Sequence, residues 1–84
     1  MAELTSMKNI GKELERKLKI IGIHSAEELK QTGSKEAFFQ LKIRFPEVCL
    51  VHLYTLEGAI TDTDFNKLSE DTKKDLKAFS DKCK

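Results

Sequence analysis

Apolar residues recur along this chain with the spacing of helix faces. Nowhere do they alternate residue by residue for long enough to make a strand. Within residues 12–21, Leu14, Leu18 and Ile21 fall at i, i+4 and i+7, one face of an amphipathic helix. Glu13 with Lys17 and Glu15 with Lys19 stand at i,i+4 in the order that supports a helix. Gly22 then sits where a left-handed residue ends many helices, and Ile23 is placed to fold back onto Leu18. Ser25-Ala26-Glu27-Glu28 reads as a capping box that opens a short helix through Leu29, closed by Gly33. Ser34 is expected to cap a third helix with Ala37, Phe38, Leu41 and Phe45 on its inner face. Pro46 marks the end of that helix, because the residue before proline avoids helical angles.

A fourth helix is expected over residues 47–60. It is apolar on most sides, which predicts the central, most buried position. Gly58 near its end weakens a helix, so it reads as the site of a close helix crossing. Beyond Thr61-Asp62-Thr63-Asp64, a turn is expected to carry Phe65 and Leu68 inward. Ser69-Glu70-Asp71 opens a last helix with its acids well placed for the helix dipole. Leu76 and Phe79 are its core residues. The pattern predicts an all-α fold of five short helices behind a lead-in turn. Leu14, Leu18, Phe38, Leu41, Leu53, Tyr54, Leu56, Leu76 and Phe79 are expected to be mostly buried.

Length adds that the 84 residues suffice for one small domain, 1–84, with a modest core. Hydrophobic residues at 39% and charged residues at 35% fit a globular protein without low-complexity segments. No apolar run approaches the roughly 20 residues that span a bilayer. Met1-Ala2-Glu3-Leu4-Thr5-Ser6 lacks the basic and apolar regions of a signal peptide. The expectation is a cytoplasmic protein with no membrane partner. Two cysteines are too few for a disulfide framework. Cys49, in an apolar run, reads as a buried small hydrophobe, and Cys83 as part of a frayed end.

The net charge of +1 hides an asymmetry. Residues 1–45 carry a net +3 and residues 46–84 a net −2. Enzyme chemistry finds little support. Cys49 and His52 stand at i, i+3, but two ligands do not make a metal site. No nucleophile–base signature and no phosphate-loop or dinucleotide pattern occurs. No cofactor, catalytic residue or small-molecule substrate is therefore expected. Glu57, on the most apolar helix, is the one odd carboxylate. It is expected either to bond a helix N-terminus across the core or to face solvent.

The remaining candidate is Lys8-Asn9-Ile10-Gly11-Lys12. Gly11 opens a helix whose first N–H groups are unpaired and positive. Asn9 tolerates unusual backbone angles better than most residues. A tight turn here would aim N–H groups outward beside two lysines, an anion site. Arg16 lies one turn after Lys12, with Lys19 following on the same face. The same residues also read as a solvated helix face with a glycine turn, and spacing alone leaves both open.

Ile10-Gly11 followed by Leu14, Leu18, Gly22-Ile23 and Glu28-Leu29 resembles a helix-hairpin-helix unit. Asn9-Ile10-Gly11-Lys12 is similar to the hairpin in the C-terminal domain of the bacterial RNA polymerase alpha subunit. Most of the chain resembles the C-terminal domain of TfoX/Sxy-type competence regulators. That resemblance takes in Asn9-Ile10-Gly11, Gly22-Ile23, Phe45-Pro46-Glu47-Val48, and Leu53-Tyr54 with Leu56-Glu57-Gly58-Ala59-Ile60. It implies a SAM-like, helix-hairpin-helix fold, a bacterial origin and a link to transcriptional regulation of competence. By the same resemblance, residues 9–12 match a hairpin that contacts DNA phosphates in relatives. Lys8, Asn9, Ile10, Gly11, Lys12 and Arg16 are thus the candidate nucleic-acid-binding residues.

Two partner classes follow. One is DNA, held weakly and without sequence preference through the hairpin. The other is a transcription-related protein, docked with no nucleic-acid contact. An apolar patch left exposed by folding would favour docking, and Phe39, Ile43 and Val51 are the residues placed to form it.

Overall fold

The computed structural model describes residues 3–83. Its regular elements are helical, with no strand among the described residues. A 3-10 turn at Leu4–Ser6 leads into α1 (Lys12–Ile20), α2 (Ala26–Thr32), α3 (Ser34–Arg44) and α4 (Leu50–Thr61). A second 3-10 turn, Phe65–Lys67, precedes α5 (Glu70–Lys82). The expected all-α fold of five helices behind a lead-in turn is met.

Each boundary has a local cause. α1 ends in a Schellman stop. The Ile23 N–H donates to the Leu18 carbonyl at 2.9 Å and the Gly22 N–H to the Lys19 carbonyl at 3.1 Å, with Gly22 at φ 96°. Ser25 caps α2 by accepting the Glu28 N–H at 3.2 Å. The carboxylate of Glu28 reaches past the cap, however, and accepts from the His24 N–H at 3.1 Å. The capping box is therefore offset by one residue. Gly33, at φ 87°, closes α2 and is itself the N-cap of α3. Ser34 is the first residue of α3 and not its cap, because its hydroxyl is committed to Glu57 on α4.

α4 begins at Leu50, three residues later than the apolar run suggested. The Pro46 corner explains the delay. The Val48 N–H donates to the Phe45 carbonyl at 3.0 Å. The Lys42 ammonium donates to the carbonyls of Pro46 at 3.2 Å and Val48 at 2.6 Å. Those carbonyls are held out of helical register. Cys49 becomes the N-cap and is exposed, contrary to the buried position expected for it. His52 closes this helix end, its Nδ1 accepting the Cys49 N–H at 3.1 Å.

One hydrophobic cluster joins all five helices, with α4 in the middle against α2, α3, α5 and the Phe65–Lys67 turn. Leu18, Phe38, Leu41, Leu53 and Leu56 are fully enclosed, and Leu14 and Leu76 nearly so. Tyr54 and Phe79 are only half-buried, at the cluster's edge. Leu4, Ile10 and Val48, from the turns, complete the core. Phe65 does not turn inward as expected. The 3-10 turn leaves it exposed, while Leu68 is buried as expected.

Gly58 marks a close approach, but to a loop and not to a helix. A Cβ there would collide with the Thr63 carbonyl and lie 2.5 Å from Asn9 Nδ2. α4 ends just beyond, with Asp62 left-handed at φ 55° and the Thr63 N–H donating to the Gly58 carbonyl at 2.8 Å.

Candidate functional site

The hairpin is a turn of five residues, 7–11, between the first 3-10 turn and α1. Asn9 takes φ 72°, the conformation in which a glycine is usually found. Its side chain does not face outward. Asn9 Nδ2 donates to the Thr63 carbonyl at 2.9 Å and so fastens the hairpin to the end of α4. The Ile10 side chain is buried in the core. Both residues were placed in the nucleic-acid site from the sequence, and both serve packing here.

Gly11 is exposed and extended, the N-cap of α1, and no side chain caps that helix. Nothing lies within 4 Å of where its Cβ would be. Lys8 and Lys12 are exposed on either side. Arg16 is also exposed, but its guanidinium is paired with Glu13 at 2.6 Å. The hydrogen bond from Arg16 holds the Glu13 carboxyl below its usual pKa, and the same bond raises that of Arg16. Lys19 pairs with Glu15 at 3.9 Å, as the spacing predicted. Lys17 does not pair with Glu13. It reaches Glu47 at 3.8 Å, and its ammonium lies 5.4 Å from the Phe45 ring centre. The hairpin thus presents two lysines with no ion pair among the described residues, two carboxylates in the first turn of α1 and a helix N-terminus without a side-chain cap.

A shallow groove of about 270 Å³ runs beside this turn, lined by Asn9, Gly11, Glu13, Leu14, Lys17, His52 and Thr55. His52 and Thr55 come from α4, some 40 residues along the chain, and spacing gave no sign of them. Burial, helped by the charge of Lys17, pulls the His52 imidazole below its usual pKa.

A second groove, of about 1040 Å³, opens where the start of α3, the end of α4 and the face of α5 meet. Phe39, Ile60, Leu76 and Phe79 form its apolar wall. Phe39 stays 42% exposed, an amount usual for charged side chains and not for a phenylalanine. Glu57 lies in this groove, with one carboxylate oxygen accepting the Ser34 hydroxyl at 2.6 Å. Of the two positions expected for Glu57, the structure shows an intermediate one: half-buried and bonded to the side chain of the first residue of α3, not to its backbone N–H groups. Lys35 bridges the rim, 2.6 Å from Asp75 and 5.8 Å from the Phe79 ring centre. Ile43, 68% exposed, follows Phe39 one turn later on α3, and Val51 is exposed at the start of α4. All three apolar residues singled out from the sequence are therefore on the surface.

No group of three or more His, Cys, Asp or Glu side chains that could hold a metal is found among the described residues. No described helix is long and apolar enough to cross a membrane.

The chain is similar to other proteins over nearly its whole length. The family model described as the TfoX C-terminal domain matches residues 1–80. A Listeria monocytogenes protein described as uncharacterized, in a triclinic crystal form, is similar at 42% identity and a TM-score of 0.94. The match covers 96% of this chain and 92% of that one. A Listeria monocytogenes protein of unknown function, in a tetragonal form, is similar at 40% identity and a TM-score of 0.94, over 98% and 100% of the two chains. No curated protein matches the chain.

Proposed function

This chain belongs to the TfoX C-terminal domain family, and from that premise we propose that it is a regulatory module of competence and transcription that works by docking a protein partner in the groove between α3, α4 and α5. The observation that carries this reading is the uncovered apolar wall. A core of this size has few large side chains to spare. Yet Phe39 is left half in water beside Ile60 and Phe79, and exposed apolar patches rimmed by polar groups mark interaction surfaces.

The hairpin supports DNA contact less well. Two of its six expected residues are turned into the molecule, and Arg16 is paired within its own helix. A second reading keeps a specific observation of its own. Gly11 has open space around it, no cap, and lysines on both sides. That combination suits weak phosphate contact without sequence preference.

The two readings part in the cell. Chromosomal Phe39→Glu and Lys8→Glu/Lys12→Glu variants are compared by transcript profile with a deletion strain. Docking predicts that Phe39→Glu matches the deletion while the lysine variant matches wild type. The reverse result reassigns the function to the hairpin.

A further inference from the structure

The groove carries charge as well as apolar surface, and the charge is one-sided. Its lining holds four carboxylates, Glu36, Glu57, Asp71 and Asp75, against the ammonium groups of Lys35 and Lys82. Lys35 is already engaged by Asp75 at 2.6 Å. Glu36 accepts from the neutral Gln40 amide at 3.0 Å and makes no ion pair among the described residues. Asp71 makes no ion pair among the described residues.

Glu57 is the most informative of the four. It sits half-buried between Leu56 and Gly58 on the most apolar helix, and among the described residues its carboxylate accepts from a neutral hydroxyl and pairs with no cation. A carboxylate removed partly from water and given one neutral hydrogen bond has gained little for its lost hydration. A cation brought alongside would supply the missing partner. Placed between aromatic and aliphatic walls, such a pair would be shielded from solvent and correspondingly stronger.

We propose that the groove takes a basic, amphipathic helix of a partner protein, with apolar side chains against Phe39, Ile60 and Phe79 and an arginine or lysine directed at Glu57. This rests on the docking reading above and names the chemistry of its partner. At about 1040 Å³ the groove is larger than most small-ligand clefts, roughly 300–1,000 Å³. Helices on both sides provide the walls that a helix-in-groove contact uses. A cationic face meeting this lining would be attracted before contact and oriented by it.

The test uses the whole chain, isotopically labelled, and two synthetic peptides of about 18 residues, roughly five helical turns. One carries leucines along one face and lysine and arginine on the other. Its twin has glutamate at every cationic position. The basic peptide is expected to shift the amide resonances of Phe39, Glu57 and Phe79 and to bind about tenfold tighter than its twin at low salt. Glu57→Gln combined with Asp71→Asn should shrink that preference to about threefold or less, and salt should shrink it for wild type. Glutamine keeps an oxygen for the Ser34 hydroxyl, so the fold has no reason to fail. A melting curve of the double variant checks this.

Equal binding of the acidic twin, shifts that map away from the groove, or full preference in the double variant would overturn the basic-helix inference. In each case docking itself would still be judged by Phe39→Glu in the cell. Concentration-dependent shifts of the groove amides without peptide would assign the groove to a second copy of the chain. That result too would overturn the inference.

Discussion

The hairpin and the groove both set charged side chains around a less polar centre, a glycine in one and an apolar wall in the other, yet they are finished in opposite ways. At the hairpin, half of the six candidate residues are engaged within the molecule already. Asn9 holds the Thr63 carbonyl, Arg16 holds Glu13, Lys19 holds Glu15, and Ile10 is in the core. At the groove, a phenylalanine is left in water and carboxylates outnumber cations. A cation paired inside its own chain must give up that pair before it binds elsewhere, so its net attraction to a phosphate is small. A half-exposed aromatic gives up only water. The comparison teaches that a motif's residue types do not report a site until their internal partners are known.

Substitutions at the joint between hairpin and α4 should have the largest effects. Gly58→Val places a branched side chain where even a Cβ meets the Thr63 carbonyl and Asn9. Overpacking against backbone should cost about 3 kcal/mol, read as a lower urea midpoint. The hairpin amides should move with it if the joint is as tight as described. An unchanged midpoint would show that the hairpin is free of α4, and the contrast with the groove would collapse. Gly22→Val comes next. The left-handed stop of α1 has open space around it but strained angles for any side chain. The expected cost is about 1 kcal/mol or more, seen in the melting temperature.

A pH titration sharpens the hairpin side. His52 is pulled below its usual pKa by burial, so the folded state binds the proton less readily than the unfolded chain. The sign follows from linkage. The stabilisation is fully present above the unfolded value of about 6.5 and is lost as pH falls through the lower folded value. Protonation would also take Nδ1 away from the Cys49 N–H. Thermal melts across this range should show stability declining with acid, and His52→Gln should flatten the decline. The smallest effect is expected at Gly11. Gly11→Asp supplies the missing cap of α1 and should add a few tenths, about 0.3 kcal/mol, while weakening any phosphate contact. A loss of stability there would mean that the glycine is needed for the fold.

Much of the fold could be read in advance because local rules decided it. The Gly22 stop, the Ser25 cap and the helical faces of Leu14, Leu18, Phe38 and Leu41 depend on neighbours within a turn or two. What escaped was set by distant partners. Ser34 looked like a cap, but Glu57, 23 residues away, claims its hydroxyl. Cys49 looked buried because an apolar run surrounds it. The Lys42 bonds to the Pro46 corner postpone α4 and leave that cysteine at its exposed end.

The candidate site was legible in the same uneven way. Lys8, Gly11 and Lys12 are where their spacing put them, and Phe39, Ile43 and Val51 are exposed. That the Asn9 side chain is fastened to Thr63 and the Ile10 side chain buried could not be read without knowing that the end of α4 lies beneath the hairpin. The run Leu56-Glu57-Gly58-Ala59, which carried the family resemblance, now has a reason at each position. Leu56 and Ala59 fill the core, Glu57 lines the groove, and Gly58 leaves room for Asn9.

The bond from Asn9 to Thr63 joins residues 54 apart in sequence, and that span has a consequence in time. α3 and α4 meet across a short corner, as do α2 and α3, so their contacts close small loops and can form early. Fastening the hairpin requires closing nearly two thirds of the chain, and its entropic cost is met only once α4 and the loop beyond it are in place. The hairpin should therefore dock after the rate-limiting barrier has been crossed. Asn9→Ala is expected to leave the refolding limb of a chevron almost unmoved and to raise the unfolding limb, the mark of a contact absent from the transition state. Residues 3–11 would then act as a latch, slowing the domain's opening more than they help it to fold.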